Sequence, residues 1–363
     1  MCKYKLKDRE FLDGGIEMIH FDQDYAEGAH PKILERLIET NMKQEAGYGN
    51  DCYSENARKY IKEKCENEKI DIHFLSAGTQ TNTIVIASAL RPHQGVIAAD
   101  TGHIQTLETG AIEAVGHKIL LLPTEEGKIN SKDLAELCEG YWNNEANIHK
   151  VQPAMLHIAN PTEVGTLYTK EELEELRTVT KKYNLKFFID GARLGYGFAA
   201  DTNDLTMKDM VDLTDVFYIG GTKNGALLGE AVVIKDDELK RDFRSIMKQK
   251  GALLAKGRLL GIQFETLFKD QLYFEIADYA VKQAMRIKKT LIENDIPLKY
   301  ENNTNQLFPI FSNAMMNHLE ENFEFLIIEK EDANHQLVRI CTSWASKKEN
   351  VDYLIEEINN YSK

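Results

Sequence analysis

The chemically informative residues of this chain stand at the ends of two apolar segments. Asp190 follows the apolar run at 187–189, and Lys223 follows a second run at 216–219 within a turn rich in glycine. Ligands of open α/β sheets bind at the carboxyl ends of the strands, so we expect both side chains at one site. Either residue alone has an ordinary explanation, because Asp190 could cap a helix and Lys223 could be a solvated loop residue.

Together, a lysine and a carboxylate in this arrangement suit the chemistry of pyridoxal phosphate. The lysine forms a Schiff base with this cofactor, and the acid keeps the pyridine nitrogen protonated so that the ring accepts electrons. A third motif, Ser76-Ala77-Gly78-Thr79, lies between a predicted strand and a predicted helix, where backbone N–H groups suit a phosphate group. Many turns of this kind are plain helix caps, so the motif counts only beside the other two.

Two further residues complete the set that could do chemistry. His103 follows a predicted strand at 95–99 and could stack on the cofactor ring, although a lone histidine is more often structural. Arg339 lies on a predicted strand at 337–342 and could bind a substrate carboxylate with two hydrogen bonds, although alone it would be interpreted as a surface residue. The set therefore points to an amino acid as the small-molecule substrate.

The segments that must position these residues alternate between apolar β-type runs and helical patterns. Several of the apolar runs are continuous, as expected for parallel strands buried on both faces. Strands are predicted at 72–76, 95–99, 118–122, 155–160, 186–190, 216–220 and 231–234. Helices are predicted at 31–43 and at 170–183, and the second begins with a capping box of Thr169 and Glu172. This alternation predicts an α/β fold with a mainly parallel sheet flanked by helices.

The last third of the chain changes character. Its patterns are a helical stretch at 237–294 interrupted near 250–251, strands at 306–311, 323–328 and 337–342, a turn at 331–336 and a final helix at 350–361. These patterns predict a smaller α+β domain at the C-terminus. We predict an N-terminal segment at 1–20, a large cofactor-binding α/β domain at 21–255 and the small domain at 256–363.

Composition argues against several classes of protein. The net charge of −14 over 363 residues argues against nucleic-acid binding, which needs clustered lysine and arginine. No apolar run approaches the roughly 20 residues that span a bilayer, and the first residues lack the apolar core of a signal peptide. The five cysteines are odd in number and lack zinc-like spacing, so we expect reduced thiols, no metal site and a cytoplasmic location.

The ordered motifs resemble those of the low-specificity L-threonine aldolases, within the β-eliminating lyases of the fold-type-I pyridoxal phosphate enzymes. The resemblance covers nearly the whole chain. The motifs that carry it are Phe21-Asp22-Gln23-Asp24, Tyr48-Gly49-Asn50-Asp51, Ser76-Ala77-Gly78-Thr79-Gln80, His103, Pro161-Thr162-Glu163, Asp190-Gly191-Ala192-Arg193, Thr222-Lys223 and Arg339. It implies cleavage of the Cα–Cβ bond of β-hydroxy-α-amino acids, such as L-threonine and L-allo-threonine, to glycine and acetaldehyde.

The resemblance also implies a role for each matching residue. Those implied to bind the cofactor are Lys223 through the Schiff base, Asp190 at the pyridine nitrogen, His103 on the ring, Gly78 and Thr79 at the phosphate, and Thr222, which stands where the family has a hydroxyl before the lysine. Arg193 and Arg339 match two arginines that hold the amino-acid carboxylate. Family active sites form between subunits, which implies a homodimer or homotetramer in which Tyr48 and Lys256 reach the neighbouring subunit's cofactor.

Three departures from the family pattern bear on the reaction. Gln23 stands where members often have a serine that helps to bind the substrate carboxylate, and Asn224 replaces a glycine after the lysine. Glu163 stands where many members have a histidine near the substrate hydroxyl, so Glu163, His103 or a water molecule is a candidate for the base. β-Elimination, transamination and racemisation remain alternative reactions, and a non-catalytic pyridoxal phosphate-binding protein is a further alternative.

Overall fold

The computed structural model of the protein describes residues 18–361. In this part of the chain the strands are β1 (Ile19–His20), β2 (Asp71–Leu75), β3 (Gln94–Ala99), β4 (Ile119–Leu122), β5 (Gln152–Ala159), β6 (Lys186–Asp190), β7 (Val216–Gly220), β8 (Glu230–Ile234), β9 (Gln306–Leu307), β10 (Ile310–Ser312), β11 (Phe323–Glu324), β12 (Leu326–Lys330) and β13 (His335–Cys341). The α-helices are α1 (Pro31–Thr40), α2 (Cys52–Cys65), α3 (Gly78–Ala89), α4 (His103–Thr106), α5 (Ala111–Ala114), α6 (Ser131–Trp142), α7 (Lys170–Lys182), α8 (Leu194–Phe198), α9 (Met207–Leu213), α10 (Asp237–Gln249), α11 (Arg258–Lys269), α12 (Leu272–Glu293), α13 (Asn313–Leu319) and α14 (Lys348–Tyr361). None of these described helices has both the length and the apolar character needed to cross a bilayer.

The largest sheet within residues 18–361 has seven strands in the order β2-β8-β7-β6-β5-β3-β4. Neighbouring strands from β4 to β7 in this order are parallel, and β8 runs antiparallel to both β7 and β2. The prediction of an α/β fold with a mainly parallel sheet is therefore confirmed. Because β6 and β7 are parallel neighbours, Asp190 and the turn that carries Lys223 leave the sheet at the same edge.

Two hydrophobic clusters cover the two faces of this sheet. Along β6, Phe187 and Ile189 pack in one cluster and Phe188 packs in the other, and all three are fully buried. Burial on both faces requires an apolar side chain at every position, which explains the unbroken apolar runs of the sequence. Each such side chain contributes roughly 1.5–3 kcal/mol on burial. The sheet edge that carries the site therefore rests on rigid, closely packed strands.

The described elements differ from the predicted bounds mainly in the last third of the chain. The prediction of a helical stretch at 237–294 with one interruption is wrong, because Gln271 adopts a left-handed conformation with φ of 66° between α11 and α12. The predicted strand at 306–311 is divided between β9 and β10, and Pro309, which has no N–H for a sheet, lies between them. The capping box at the start of α7 is confirmed.

A third cluster forms the core of the C-terminal part. Ile287 and Leu291 of α12 belong to it, and so does Phe21 near the start of the described chain. The other members include side chains of β9, β10, β11, β13, α13 and α14. Strand β1 pairs in parallel with β11, and the Cys341 N–H donates to the Phe21 carbonyl oxygen at 2.7 Å. These contacts fix the segment after Phe21 against β13, close to Arg339. The proposed domain boundaries remain predictions.

Candidate active site

The turns after β6 and β7 pack directly against each other. A Cβ atom added to Gly191 would lie 1.9 Å from the carbonyl oxygen of Tyr218, and one added to Gly220 would lie 2.2 Å from that of Ala192. The Gly220 N–H also donates to the Gly191 carbonyl oxygen at 2.9 Å. Glycine is therefore required at both positions, and it brings together the two turns that carry the predicted acid and the predicted lysine.

Asp190 is buried at the end of β6 and accepts hydrogen bonds at both carboxylate oxygens. Its Oδ1 accepts from the Ala192 N–H at 3.0 Å, and its Oδ2 accepts from Asn82 Nδ2 at 3.1 Å. Burial alone would raise the pKa of Asp190, but His157 and the Tyr218 hydroxyl outweigh burial, so the pKa is lowered. The carboxylate thus stays ionised, which is the state that pairs with a protonated pyridine nitrogen.

Lys223 lies in the turn after β7 among several charged groups. Burial and the Arg193 guanidinium lower the pKa of Lys223, while the carboxylates of Asp24, Asp190 and Glu230 oppose that shift. A lowered pKa increases the fraction of neutral amine, which is the nucleophilic form. Because Asp190 acts electrostatically on Lys223, the predicted acid and the predicted lysine lie in one site.

Thr222 is held by a buried carboxyl group that the sequence patterns did not reveal. The Thr222 hydroxyl donates to Glu230 Oε1 at 2.9 Å and accepts from the Gly229 N–H at 3.0 Å. The Gly221 N–H donates to Glu230 Oε2 at 3.1 Å. Burial raises the pKa of Glu230 to about 8, against the opposing effects of Thr222 and Lys223. These bonds fix the backbone of the turn that carries the lysine.

His103 begins the short helix α4 and contacts two acidic side chains. Its Nδ1 lies 2.8 Å from Glu108 Oε1, and its backbone N–H donates to Glu163 Oε1 at 2.7 Å. Burial raises the pKa of Glu163 to about 7, and Asp190 adds to the shift although the His103 N–H opposes it. Glu163 therefore exchanges its proton close to neutral pH, as a general acid or base requires.

Arg193 is paired with a carboxylate of its own chain. Its Nε and Nη2 donate to the two oxygens of Asp24 at 2.7 and 3.0 Å, and Asn305 Nδ2 donates to Asp24 Oδ2 at 2.9 Å. Burial would raise the pKa of Asp24, but Arg193 and Lys223 lower it to about 2. Arg193, which the sequence predicts to hold a substrate carboxylate, thus already binds a carboxylate through two of its nitrogens. Its third nitrogen, Nη1, takes no part in these hydrogen bonds.

Arg339 and Tyr25 border the same space. Arg339 Nη2 donates to the Asp22 carbonyl oxygen at 2.9 Å, and Arg339 Nε is buried without a hydrogen-bond partner among the described residues. The ring centroid of the half-exposed Tyr25 lies 5.9 Å from Lys223 Nζ. Gln23, which is predicted to bind substrate, follows Asp22 in the sequence and is partly buried. Arg339 acts electrostatically on Tyr25, so its unpaired nitrogen belongs to the same part of the site, where it suits a carboxylate ligand.

The turn before α3 offers the open N-terminus of a helix. Within the described residues, no side chain caps this helix at its N-cap residue, Ala77. A Cβ atom added to Gly78 would lie 3.3 Å from the Tyr218 hydroxyl, which itself hydrogen-bonds to Asp190. Thr79 follows in the first helical turn and is exposed. Free N–H groups of this kind bind phosphate, and they lie beside the predicted acid.

Tyr48 and Lys256 lie on segments that contact each other. The Tyr48 N–H donates to the Ala255 carbonyl oxygen at 3.1 Å, and the Tyr48 carbonyl oxygen accepts from Arg244 Nη2 at 2.8 Å. Both Tyr48 and Lys256 are exposed. No described contact within residues 18–361 joins either residue to Lys223, so a single chain does not bring them into the site.

The sequence of the described region carries the signature of a known family. Residues 24–351 match the family model of the β-eliminating lyases. The chain belongs to the β-eliminating lyase family. The matched range includes the lysine, the acid, the histidine and both arginines of the site described above.

Individual proteins similar to this chain support the same family assignment. The chain is 30% identical over 306 residues to the low specificity L-threonine aldolase of Pseudomonas aeruginosa, which covers 83% of this chain and 84% of that protein. A solved structure of the threonine aldolase of Leishmania major shares 43% identity and has a TM-score of 0.92, covering 95% of this chain and 100% of that one. The aspartate aminotransferase structure from Thermus thermophilus, at 13% identity, covers 95% of this chain and 92% of that one with a TM-score of 0.71, which shows a common fold.

Enzymes of this family and fold generally depend on pyridoxal phosphate. The site of this β-eliminating lyase fits that cofactor in three respects. Asp190 is buried and kept ionised, Lys223 has a lowered pKa, and the N-terminus of α3 is uncapped within the described chain. An acid, an amine and an uncapped helix N-terminus therefore meet at one edge of the sheet.

The sequence predictions missed several residues of this site, namely Asp24, Tyr25, Asn82, Glu108, Tyr218 and Glu230. Some had a usable signal. Asn82 lies one helical turn after Gly78 and so shares its face of the helix, and Glu108 follows His103 closely in sequence. Glu230 had none, because only the antiparallel pairing of β8 with β7 places it opposite Gly220.

Proposed function

We propose that this protein uses pyridoxal phosphate to cleave the Cα–Cβ bond of β-hydroxy-α-amino acids. L-Threonine and L-allo-threonine are the proposed substrates, with glycine and acetaldehyde as products. The observation that carries the proposal is the convergence of Lys223 and the ionised Asp190 at adjoining turns of one sheet edge. The relatives named as threonine aldolases support this reaction over others of the same fold.

Each element of the site has a part in holding the cofactor in this proposal. Lys223 bonds to it covalently, Asp190 pairs with its ring nitrogen, and the turn at Gly78 and Thr79 holds its phosphate. His103 lies against the ring, and Thr222 keeps the lysine-bearing turn in place through its bond to the buried carboxyl behind it. When bound, the cofactor accepts the electron pair of the broken Cα–Cβ bond.

The substrate carboxylate binds between two arginines in this proposal. Arg339 offers a buried, unpartnered Nε, and Arg193 offers Nη1 while Asp24 fixes the rest of its guanidinium. Two arginines and one buried carboxylate leave one net positive charge, which matches a single carboxylate group. Gln23, on the same segment as Asp24, is the proposed additional contact to substrate.

The proton of the β-hydroxyl passes to Glu163 in this proposal. Breaking the Cα–Cβ bond turns the hydroxyl into a carbonyl group, so a base must remove that proton. The pKa of Glu163 is raised to about 7 by burial, which makes its carboxylate a stronger base than an ordinary glutamate. Its Oε1 is fixed by the His103 N–H, and this bond places the carboxylate next to the other candidate base, the His103 ring.

The direct test of the reaction is to identify the carbon products. The full chain, supplied with pyridoxal phosphate, is incubated separately with L-threonine and L-allo-threonine, and the products are identified by mass spectrometry. Glycine and acetaldehyde in equal amounts are expected from at least one isomer. The variant Lys223→Ala serves as the control and is expected to form neither product.

The same assay separates the remaining reactions of this fold. Formation of 2-oxobutanoate from threonine indicates β-elimination, a keto acid formed only with an amino acceptor indicates transamination, and a change in optical rotation without carbon loss indicates racemisation. Visible absorbance of bound cofactor with no product from a broad panel of amino acids would favour a non-catalytic binding protein. Any of these results in place of glycine and acetaldehyde contradicts the proposed cleavage.

We also propose a homodimer or homotetramer in which subunits share their active sites. Helix α1 and the residues just after it expose three apolar side chains, Leu34, Ile38 and Met42, by 43%, 77% and 88%. Their spacing of four residues puts them on one face. An apolar face of this kind suits a second copy of the chain. Tyr48 and Lys256, which do not reach their own Lys223, are then available to the neighbouring site.

Mixed subunits provide a test of shared sites. Chains with Tyr48→Ala and chains with Lys223→Ala are each expected to be nearly inactive. When both are co-expressed, a random mixture of dimers should recover about one quarter of wild-type activity, because half of the dimers contain one intact site. No recovery in mixed dimers whose formation is verified by mass would show that Tyr48 acts within its own chain.

We further propose a cytoplasmic location, with neither nucleic acid nor membrane as a partner. The buried cysteines Cys65, Cys138 and Cys341 are free thiols in the described chain, as a reducing compartment favours. The net charge of −14 supports the absence of a nucleic-acid partner.

A further inference from the structure

A buried carboxylate lies behind the histidine of the proposed site. The Glu108 side chain has no exposed surface, and its Oε1 lies 2.8 Å from His103 Nδ1. The same oxygen accepts a hydrogen bond from Asn82 Nδ2 at 2.8 Å. Because Glu108 Oε1 acts as the acceptor for both neighbours, His103 must carry its proton on Nδ1 to donate it. The ring is then left with Nε2 as the nitrogen that can accept a hydrogen bond.

One amide group joins this carboxylate to the acid of the site. The fully buried Asn82 donates through Nδ2 to Glu108 Oε1 and also to Asp190 Oδ2, at 2.8 and 3.1 Å. Its Oδ1 lies 3.4 Å from Nε2 of the buried His157. The histidine at one end of this chain of bonds and Asp190 at the other are thus held at a fixed separation.

We propose that Glu108 is a positioning residue that fixes the tautomer and the orientation of His103. The inference rests on the proposed function, because the ring whose orientation it fixes is proposed to lie against the bound cofactor, with Nε2 as a free acceptor beside Glu163, the group that removes the hydroxyl proton. Through Asn82, the same carboxylate couples the placement of the ring to that of Asp190. In a neutral imidazole, an Nδ1–H held by a carboxylate leaves Nε2 as the acceptor and fixes the direction in which it points.

A purely structural role explains the arrangement less well. Glu108 Oε2 is buried and has no hydrogen-bond partner among the described residues. Leaving a buried polar atom unpaired destabilises the folded chain, and more so when the group is charged. If the only role of this side chain were to accept a hydrogen bond from the Asn82 amide, a neutral acceptor would fill it at a lower cost in stability. The unpaired oxygen at this position therefore points to a role other than stability.

The first test measures the tautomer directly in the wild-type chain. Solid-state ¹⁵N NMR on the full chain with labelled histidine, with and without pyridoxal phosphate, distinguishes a protonated from an unprotonated ring nitrogen. The His103 signals are assigned by their loss in His103→Gln. At pH 8 we expect a protonated Nδ1 and an unprotonated Nε2 in both samples. A proton on Nε2, alone or together with one on Nδ1, overturns the proposal.

The second test separates positioning from folding. Glu108→Leu removes the acceptor, and we expect kcat for L-threonine cleavage to fall roughly 10- to 100-fold while KM changes little. Glu108→Gln keeps a carbonyl acceptor for Nδ1–H and should lose less than Glu108→Leu. The matched control is Glu113→Gln, an exposed glutamate of the neighbouring helix α5, which should leave kcat unchanged.

The outcomes distinguish this inference from the proposed function. If Glu108→Leu is folded, as judged by thermal unfolding, and keeps the wild-type kcat, the positioning role is wrong although the aldol cleavage stands. If wild-type protein forms no glycine from threonine but shows the expected tautomer, the proposed function fails and the histidine assignment survives. If Glu108→Leu does not fold, the wild-type NMR spectrum together with the kcat of Glu108→Gln decides the question.

Discussion

Two regions of the site are built in opposite ways. The lysine–acid region, formed by Lys223, Asp190 and their turns, comes from neighbouring parallel strands and is defined by local backbone contacts. The carboxylate region, formed by Asp24, Arg193 and Arg339, joins segments that are far apart, since Asp24 and Arg193 are separated by 169 residues. The first region is held by the sheet, whereas the second depends on how the segment at 19–24 packs against the C-terminal part.

The two regions also differ in their electrostatics. In the lysine–acid region, burial lowers the pKa of Lys223 and raises that of Glu230 to about 8, so both groups are pushed towards their neutral forms. In the carboxylate region, Arg193 and Lys223 outweigh burial and lower the pKa of Asp24 to about 2, so its ion pair persists at all ordinary pH values. Changes in the first region should therefore affect kcat most, and changes in the second should affect substrate affinity and stability.

The largest effect is expected at the centre of the lysine–acid region. Lys223→Ala should abolish both the visible absorbance of bound cofactor and turnover, with a loss of kcat on the order of 10⁴-fold or more, because no other group can replace a covalent catalyst. The matched control, Lys250→Ala, changes an exposed lysine after α10 and should leave both unchanged. Retained turnover in Lys223→Ala would remove Lys223 from this role.

The proposed base should show in the pH dependence. Glu163 loses its proton as the pH rises through about 7, so kcat in the wild type should rise through that range and then level off. Glu163→Gln should lower kcat by about 10²- to 10⁴-fold and remove this rise. The control is Glu171→Gln, an exposed glutamate in the first turn of α7. A variant Glu163→Gln with the wild-type pH profile would assign the base to another group.

In the carboxylate region, breaking the internal ion pair should destabilise the fold. Asp24→Asn leaves the buried Arg193 without its charged partner and should lower the unfolding free energy at pH 7 by about 3–5 kcal/mol. The loss should shrink in acid, because the pKa of Asp24 is lowered to about 2 in the folded chain and its stabilising effect disappears as the pH falls through that value.

Urea unfolding measures this difference at several pH values. The comparison is Asp278→Asn, which removes an exposed ion pair with Lys282 and should cost less than about 1 kcal/mol. Equal losses for Asp24→Asn and Asp278→Asn would show that the buried pair does not hold the carboxylate region together.

The smallest of these effects is expected for substrate affinity. Arg339→Gln removes one charge-assisted contact to the substrate carboxylate, worth about 1.5–3 kcal/mol, so KM should rise roughly 10- to 100-fold with little change in kcat. The control, Arg241→Gln, alters a side chain that is 76% exposed on α10. A fall in kcat at unchanged KM would show that Arg339 acts on the catalytic step, as the residues of the lysine–acid region do, and not on substrate binding.

The sequence is informative about the first region and much less about the second. The strands at 186–190 and 216–220 were predicted with the bounds that the structure shows, because burial on both faces leaves unbroken apolar runs. The pairing of Arg193 with Asp24 could not be predicted, because no local pattern indicates which of many carboxylates will meet a given arginine. Glu230 was missed for the same reason, since an antiparallel strand order cannot be read from periodicity.

The helical region shows a similar limit. The break at Gln271 between α11 and α12 depends on a left-handed residue that is not glycine, and such a residue leaves no compositional signal. The roles of the individual site residues likewise stay predictions, since they follow from position relative to a cofactor. The sequence thus indicates where the chemistry lies more reliably than how the substrate is held.

The central claim is that the side chain of Lys223 carries the cofactor at the same sheet edge as Asp190. Reduction of the loaded full-length chain with borohydride makes any such bond permanent, and peptide mapping by mass spectrometry then locates it. We expect a single pyridoxyl group on Lys223, with loss of the label in Lys223→Ala. A label on another lysine, or no label on protein that cleaves threonine, would contradict it.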